Sequence, residues 1–152
     1  MKVILLKIKA DAGRKCVNKD LAGGLGTATW VGDSFRARIF ERVKKSNVVL
    51  PELSIAYLAA IFKKFGWKVK VVEEMENFSE KADLVLAPSS IVDCRRELTV
   101  VSDLKEKGYH VGVYGTFATS VPEFFLNKAD FVIKGEPEAG ALKIASENFL
   151  PK

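Results

Sequence analysis

The segment that decides the fold reads Val111-Gly112-Val113-Tyr114-Gly115-Thr116-Phe117-Ala118-Thr119-Ser120-Val121-Pro122-Glu123. After a short stretch it continues with Asp130-Phe131-Val132-Ile133-Lys134-Gly135-Glu136-Pro137-Glu138. Two short apolar strands each end in a turn that contains a glycine, and each turn opens a helix. Open α/β sheets bind ligands where the carboxyl ends of such strands meet. The segment therefore predicts where a ligand would bind before it indicates which ligand.

Alternating strands and helices occupy the rest of the chain as well. The first predicted strand, Val3 to Ile8, is followed by a long glycine-containing connection from Lys9 to Leu50, which includes a short amphipathic helix near Phe35 to Val43. The other predicted elements are a helix from Pro51 that stops at Gly66, a strand over Lys68 to Glu73, a strand over Leu84 to Ala87, a helix from the Pro88 turn to Lys107, a strand over His110 to Tyr114, a short helix opened by a capping box at Ser120 to Glu123, a strand over Phe131 to Ile133 and a helix from Glu138 to Asn148.

This alternation is typical of βαβ units. It predicts a doubly wound, five-stranded parallel sheet with helices on both faces and the flavodoxin-like strand order 2-1-3-4-5. The apolar periodicity also predicts which side chains face the core in three helices: Leu53, Tyr57, Ala60 and Ile61 beside Leu58, Phe62 and Phe65 in the first; Phe124, Phe125 and Leu126 in the short one; and Ala141, Leu142, Ala145 and Phe149 in the last.

The bulk properties describe one globular domain. A chain of 152 residues is long enough for one domain with a substantial core. No apolar run approaches the ~18 residues of a membrane span, and the charged amino terminus does not read as a signal peptide. We therefore expect a cytoplasmic protein without a membrane partner. Because the sequence stops just after a helix, residues 1–152 read as the first domain of a longer protein.

The net charge of +5 is modest and is concentrated in one segment, Arg36, Arg38, Arg42, Lys44 and Lys45. This segment is either a patch for nucleic acid or another acidic partner, or a solvated face. No RNA-binding motif accompanies it, so a nucleic-acid partner is not expected.

Several catalytic and cofactor classes lack their motifs here. Gly23-Gly24-Leu25-Gly26 does not directly follow the first strand and lacks the G-x-G-x-x-G spacing, and no P-loop motif occurs. The first and third strands do not end in the acids of a phosphoacceptor site. Cys16 and Cys94 have neither CxxC spacing nor a nearby histidine, so they read as two unrelated reduced thiols. His110 sits where a strand begins and reads as a structural or exposed residue.

The predicted carboxyl edge does carry groups suited to a neutral ligand. Gly115 and Gly135 let a large ligand approach the backbone closely. Neutral hydrogen bonds would come from Ser89, Ser90, Thr116 and Thr119. Glu136 and Glu138 read either as an acid–base pair or as acids that complement a helix dipole, the second being the simpler interpretation.

Several segments resemble one known family. Pro51-Glu52-Leu53-Ser54-Ile55-Ala56-Tyr57-Leu58-Ala59-Ala60, followed by Gly66-Trp67-Lys68-Val69, is similar to the "P-x-L-x-x-A-Y-L-A … G-x-x-V" pattern of the amino-terminal cobalamin-binding-type domain of radical SAM proteins. Tyr114 to Thr119 resembles the family's glycine-rich turn after strand 4, and Ala129 to Glu138 resembles its "D-x-V-V-x-G-E-x-E" segment. The D-x-H-x-x-G motif, whose histidine ligates cobalt, is absent here, as it is from many radical SAM relatives.

The resemblance implies a domain that holds cobalamin against a radical SAM barrel, in the same chain or a partner chain, for methyl transfer or related radical chemistry. It implies cofactor contacts from Ser89, Ser90, Gly115, Thr116 and Phe117, a lid formed by Gly23, Gly24 and Gly26, and a neighbouring rim shaped by Gly135 and Glu136. The C-x-x-x-C-x-x-C motif that holds a [4Fe–4S] cluster does not occur in the sequence. This chain alone is therefore not expected to cleave S-adenosylmethionine, whose site would lie in the downstream domain.

Two alternatives stay open at this point. One is an interaction module without a cofactor, in which the sheet edge docks on a partner and the basic segment from Arg36 to Lys45 joins the interface. The other is a small flavodoxin-like protein that binds a nucleotide or a flavin.

Overall fold

The computed structural model describes residues 1–8, 32–47, 53–73, 80–91 and 93–151. Within these ranges the elements follow one another as β1 (Lys2–Lys7), α1 (Phe35–Asn47), α2 (Leu53–Lys64), β2 (Lys68–Glu73), β3 (Leu84–Pro88), α3 (Cys94–Glu106), β4 (Val111–Tyr114), α4 (Thr116–Ser120), α5 (Glu123–Leu126), β5 (Phe131–Val132) and α6 (Pro137–Glu147). No helix of these ranges is long and apolar enough to cross a membrane.

The chain divides into two compact units, residues 9–52 and the remainder. In the smaller unit the described part is α1 with the residues just before it. Ser34 caps this helix: its hydroxyl accepts a hydrogen bond from the Ala37 N–H at 3.2 Å, and its carbonyl accepts one from the Arg38 N–H. Arg36, Arg38 and Arg42 are exposed along the helix.

The larger unit is built on a five-stranded sheet in the order β2-β1-β3-β4-β5. Every neighbouring pair is parallel, with Leu5 opposite Val71 on one side and Leu86 on the other. The sheet is therefore flavodoxin-like, with β2 at one edge and the two-residue β5 at the other. This confirms the strand count, direction and order that the sequence predicts.

Both faces of the sheet are covered, and the inner positions of the central strands β1, β3 and β4 are buried on both faces. Side chains of a strand alternate between its faces. Val3 and Leu5 of β1 consequently pack with α2 and α6, whereas Ile4 and Leu6 pack on the opposite side with α3, α4 and α5. The two core layers enclose β1 and β3 and leave their carboxyl ends as a scaffold for loops.

Two of the helices end at the predicted glycines. Gly66 donates to the Lys63 carbonyl at 3.0 Å, and Trp67 donates to the Phe62 carbonyl at 3.0 Å. This pair of bonds is the Schellman arrangement that closes a helix. Gly108 and Tyr109 make the same two bonds, to Lys105 and to Leu104, at the end of α3. The Trp67 ring then packs on Phe62 with 5.0 Å between ring centroids, and both side chains lie in the core layer between α2 and the sheet.

The burial of side chains along α2 corrects its predicted inward face. Ile55, Leu58 and Phe62 form the buried stripe, while Leu53 and Tyr57 are 64% and 58% exposed. The prediction that Leu58 and Phe62 face the core is confirmed. The periodicity is ambiguous because α2 is apolar nearly all round, so two stripes compete for the sheet.

The connection after β3 differs from the prediction, since α3 begins only at Cys94. Ser90 lies outside the helix because its N–H and its hydroxyl both bind the Glu97 side chain. The strand itself runs one residue further than predicted, to Pro88.

The capping box predicted at Ser120 to Glu123 is wrong. Gly115 starts α4 earlier in the chain, so Ser120 becomes the last residue of that helix, and its hydroxyl donates to the Thr116 carbonyl at 2.9 Å. The next helix, α5, begins after Pro122 without a side-chain cap. Phe125 anchors α5 in the core as predicted, whereas Leu126 is exposed.

The inward face of α6 is partly as predicted. Ala141 and Ala145 are buried, and Ile144 completes the stripe. Leu142 and Phe149 are exposed, contrary to the prediction. Leu142 follows Ala141 by one residue, or about 100° around the helix. Phe149 lies beyond the left-handed Asn148 (φ 51°) that ends α6, where the chain has already left the helical path.

Candidate functional site at the carboxyl edge of the sheet

Three consecutive turns leave the carboxyl ends of β3, β4 and β5, which are neighbours in the sheet. Ser89 and Ser90 follow β3, Gly115 follows β4, and Gly135 and Glu136 follow β5. The sheet thus brings most of the predicted site residues to one edge. We call these three turns the rim. The predicted lid residues Gly23, Gly24 and Gly26 lie outside the described residues.

Gly115 joins the first two turns of the rim by direct contact. The Ser89 N–H donates to the Tyr114 carbonyl at 2.7 Å, which continues the β3–β4 pairing past the strand ends. A Cβ atom on Gly115 would lie 2.4 Å from the Ser89 carbonyl oxygen, and the residue has φ +121°. Both facts restrict this position to glycine. The β4 turn therefore rests on the backbone of the β3 turn.

Thr119 joins the second turn to the third. Its N–H donates to the Gly115 carbonyl at 2.9 Å within α4, and its hydroxyl oxygen accepts a hydrogen bond from the Gly135 N–H at 3.0 Å. Gly135 itself has φ +80°. Thr119 is thus a brace of the rim, and the three turns form one connected surface.

The other predicted contact residues have different surroundings. Thr116 is exposed at the start of α4. Phe117 is half-buried, and its ring packs edge-on against Phe124 and Phe125, with centroids 5.4 and 6.1 Å away. Its bulk is therefore directed at least partly into the core layer under α4 and α5. Glu136 is exposed at the cap position of α6 and makes no side-chain cap bond.

Buried polar side chains lie between the end of β3 and the first turn of α3. Among the described residues the buried polar or charged side chains are Ser89, Asp93 and Glu97, the last of them within α3. Glu97 is fully buried, and its carboxylate accepts the Ser90 N–H at 2.8 Å and the Ser90 hydroxyl at 3.0 Å. Charged side chains are almost never fully buried unless they are paired. The double hydrogen bond between Ser90 and Glu97 is therefore a specific buried polar contact beneath the rim.

Sequence reasoning missed Asp93 and Glu97. A signal was present, because Glu97, Val101 and Leu104 are spaced four and three residues apart and so share one face of α3. All three side chains are completely buried. An acid on the apolar stripe of a helix that starts at the ligand edge marks a polar site beneath that edge.

The Ser89 hydroxyl supplies a second observation at the same loop. Ser89 is 7% exposed, and its Oγ is buried without a hydrogen-bond partner in the part of the chain that the structure describes. A buried hydroxyl left unsatisfied costs about 1–3 kcal/mol. Such a group in a native protein calls for a partner, which a bound ligand would supply.

His110 lies at the opposite edge, because it precedes β4. Its Nε2 is 2.7 Å from the Pro151 carbonyl oxygen, and its Nδ1 is 3.5 Å from the Asp130 carboxylate. Asp130 also accepts hydrogen bonds from Lys105 and from the Val111 N–H. Burial disfavours ionisation of Asp130, but these hydrogen bonds outweigh it and lower the pKa of this carboxyl below its ordinary value.

No group of three or more histidine, cysteine, aspartate or glutamate side chains is placed to hold a metal ion within the described ranges. Cys94 is a free thiol at the start of α3, and Cys16 is outside those ranges. The polar groups that the described part of the rim presents are backbone amides, serine and threonine hydroxyls and the Glu97 carboxylate.

Comparison of this chain with protein-family models, with curated proteins and with solved structures gave no match.

Proposed function

We propose that this domain holds a cobalamin on the rim and presents it to a radical SAM barrel in the same or a partner chain, for methyl transfer or related radical chemistry. The observation that carries the proposal is the joining of the three turns: Gly115 rests on Ser89, and Thr119 braces Gly135. Two of the segments that resemble the cobalamin-binding family are those that form the second and third turns. The proposal also takes the protein to be cytoplasmic.

The groups present at the rim fit a corrinoid. The edge of a corrin carries many neutral carboxamides, which both donate and accept hydrogen bonds. Ser89 has a buried hydroxyl in need of a partner, and Ser90 has a half-buried hydroxyl beside it. Gly115 and Gly135 have no side chains to keep a large planar ligand away from the backbone. Ser89, Ser90, Gly115 and Thr116 would contact the cofactor, and Glu136 would line its border.

The chemistry would be divided between the two domains. The corrinoid would supply a cobalt centre that carries a methyl group or takes part in radical steps, and the barrel would hold S-adenosylmethionine and its [4Fe–4S] cluster. The role of this chain's residues is to bind and orient. His110 is at the far edge of the sheet, so the proposal assigns it no contact with cobalt.

A titration tests the proposal. Hydroxocobalamin added to the 152-residue chain should bind saturably, seen both as a change in the corrinoid absorbance and as heat in calorimetry. Replacing Ser89 by Ala should weaken binding about tenfold, the usual effect of removing one buried hydrogen bond. The matched control is Ser102→Ala, which removes a half-buried serine hydroxyl of α3 away from the rim.

The outcomes separate the alternatives. If the wild-type chain does not bind hydroxocobalamin at high micromolar concentrations, cobalamin binding by this domain is refuted. Saturable binding of FMN in its place would support the flavin-binding alternative. Equal affinities of wild type and Ser89→Ala would remove Ser89 from the site while leaving the corrinoid proposal intact.

A further inference from the structure

We infer that Ser89 and Ser90, together with Glu97 of the first turn of α3, form a selectivity element that accepts an uncharged hydrogen-bond donor of the ligand, such as a carboxamide or a hydroxyl, and rejects phosphate. The inference deepens the proposed function and rests on it for the identity of the ligand. The preference for neutral donors over anions follows from the residues of the loop and does not depend on which ligand binds.

The first step is the double hydrogen bond between Ser90 and Glu97. The Ser90 hydroxyl donates its hydrogen to one side-chain oxygen of Glu97, at 3.0 Å. The Ser90 N–H is directed to the other carboxylate oxygen of Glu97. Both donors of Ser90 are therefore consumed inside the protein. What Ser90 offers a ligand is the lone pairs of its Oγ, which bind a donor.

The second step concerns the start of α3. The amino end of a helix ordinarily attracts anions, because its free N–H groups carry partial positive charge. Here Asp93 is the cap residue without a side-chain cap hydrogen bond, and Glu97 lies one turn later, with both side chains buried. The Ser90 N–H, which a phosphate at this end would need, is already bound by the Glu97 carboxylate.

The third step is the Ser89 hydroxyl. It is more than nine-tenths buried in the same loop and has no partner among the described residues. A ligand hydroxyl or carboxamide can satisfy it without bringing charge into a desolvated place. A phosphate would bring a charge that burial penalises strongly.

The test replaces the carboxyl group of Glu97 by an amide of nearly the same shape. In Glu97→Gln the amide oxygen can still accept the Ser90 N–H, but the amide NH₂ donates to Oγ and so frees the Ser90 hydroxyl hydrogen. The matched control is Glu106→Gln, the same change on the same helix at an exposed Glu that accepts a hydrogen bond from Ser102. Arg95 and Arg96, the cations of the first turn of α3, are unchanged in both variants.

Two probes are titrated, hydroxocobalamin and inorganic phosphate, with the Ser89 and Ser90 amide signals followed by NMR. Wild type and Glu106→Gln should show no phosphate response at these amides. Glu97→Gln should gain such a response, which corresponds to a phosphate affinity about tenfold or more above that of wild type. This is the effect expected when the Ser90 hydroxyl hydrogen, now released from Glu97, can donate to the phosphate. The same variant should bind hydroxocobalamin more weakly, so the selectivity reverses.

A second variant guards against a merely structural effect. Ser90→Ala removes the acceptor oxygen but leaves the Glu97 carboxyl group in place, so it should weaken hydroxocobalamin binding without creating a phosphate response. A phosphate response at the Ser90 amide in wild type, or none in a folded Glu97→Gln chain, would overturn the inference. Absence of hydroxocobalamin binding to wild type would instead contradict the proposed function, because the phosphate comparison does not depend on it.

Discussion

Gly115 shows how a single residue sets the geometry of the rim. Two separate constraints act on it, a left-handed φ and the nearby Ser89 carbonyl. Gly135 has the first constraint only, because its φ is +80° and an added Cβ would find open space among the described residues. Comparison of the two positions therefore separates backbone strain from steric contact.

We predict that Gly115→Ala lowers the free energy of unfolding by more than Gly135→Ala does. Backbone strain alone should cost about 1–2 kcal/mol at Gly135. At Gly115 the contact with Ser89 should add about 1–3 kcal/mol, the usual penalty of forcing extra volume into a packed place. Chemical denaturation of the two variants measures the difference. Equal losses at both positions would mean that the Ser89 carbonyl yields to the added methyl group.

The ionisation of Asp130 is tied to folding. Its pKa in the folded protein is lowered, so its contribution to stability is fully present above the ordinary carboxyl range and is lost as the pH falls through the lowered value. We predict that Asp130→Asn costs about 1–3 kcal/mol at neutral pH, since it removes the charge that binds Lys105. The cost should shrink below about pH 4, where the unfolded carboxyl takes up its proton.

Urea denaturation at a series of pH values checks this expectation, with Asp103→Asn as the control. Asp103 is an exposed aspartate of α3. A pH-independent effect of Asp130→Asn would show that packing, rather than charge, sets the role of Asp130.

At the scale of elements, the sequence of α2 does not determine which face of the helix is buried, because the helix is apolar on almost every side. The predicted burial of Leu58 and Phe62 is confirmed, but that of Leu53 and Tyr57 is wrong. The buried stripe packs in one core layer with Trp67, which contacts Phe62 from beyond the helix end, and with side chains of the sheet and α6. That contact is tertiary, and no periodicity within α2 could have revealed it.

The two leucines of α2 give a direct test of this assignment. Leu58→Ala should lower the free energy of unfolding by about 2–5 kcal/mol, because Leu58 is completely buried in the core layer under α2 and α6. Leu53→Ala should change it by no more than about 0.5 kcal/mol, as is usual for exposed positions. Thermal or urea unfolding distinguishes the two, and similar losses would show that Leu53 also faces a packed surface.

The β3–α3 connection failed as a prediction for a different reason. Pro88, Ser89 and Ser90 form a good start signal for a helix, yet α3 begins only at Cys94. The hydrogen bonds of Ser90 to Glu97 span seven residues and hold the loop away from helical geometry. Start signals describe local preference, and here a buried side chain from the helix itself overrides it.

For the whole molecule, the strand order 2-1-3-4-5 followed from the alternation of short apolar runs with amphipathic segments. The position of the rim could also be predicted from the sequence, because the carboxyl ends of parallel strands lie at the same edge of a sheet. The connection of its turns through Ser89, Gly115, Thr119 and Gly135 did not, because it depends on contacts between loops that are distant in sequence. The identity of the ligand stays a prediction that rests on resemblance and on the chemistry of the rim.

The outermost strands of the sheet have a consequence for solubility. An exposed strand edge is a template on which another chain can add and start aggregation. β5 is only two residues long, and β2 carries Lys68, Lys70 and Glu73 as exposed charges, with Lys70 paired to Glu80. A short edge and a lysine-bearing edge are two of the devices by which natural sheets resist intermolecular pairing. The buried strands β1 and β3 thus lie inside a sheet whose edge strands disfavour pairing with another chain.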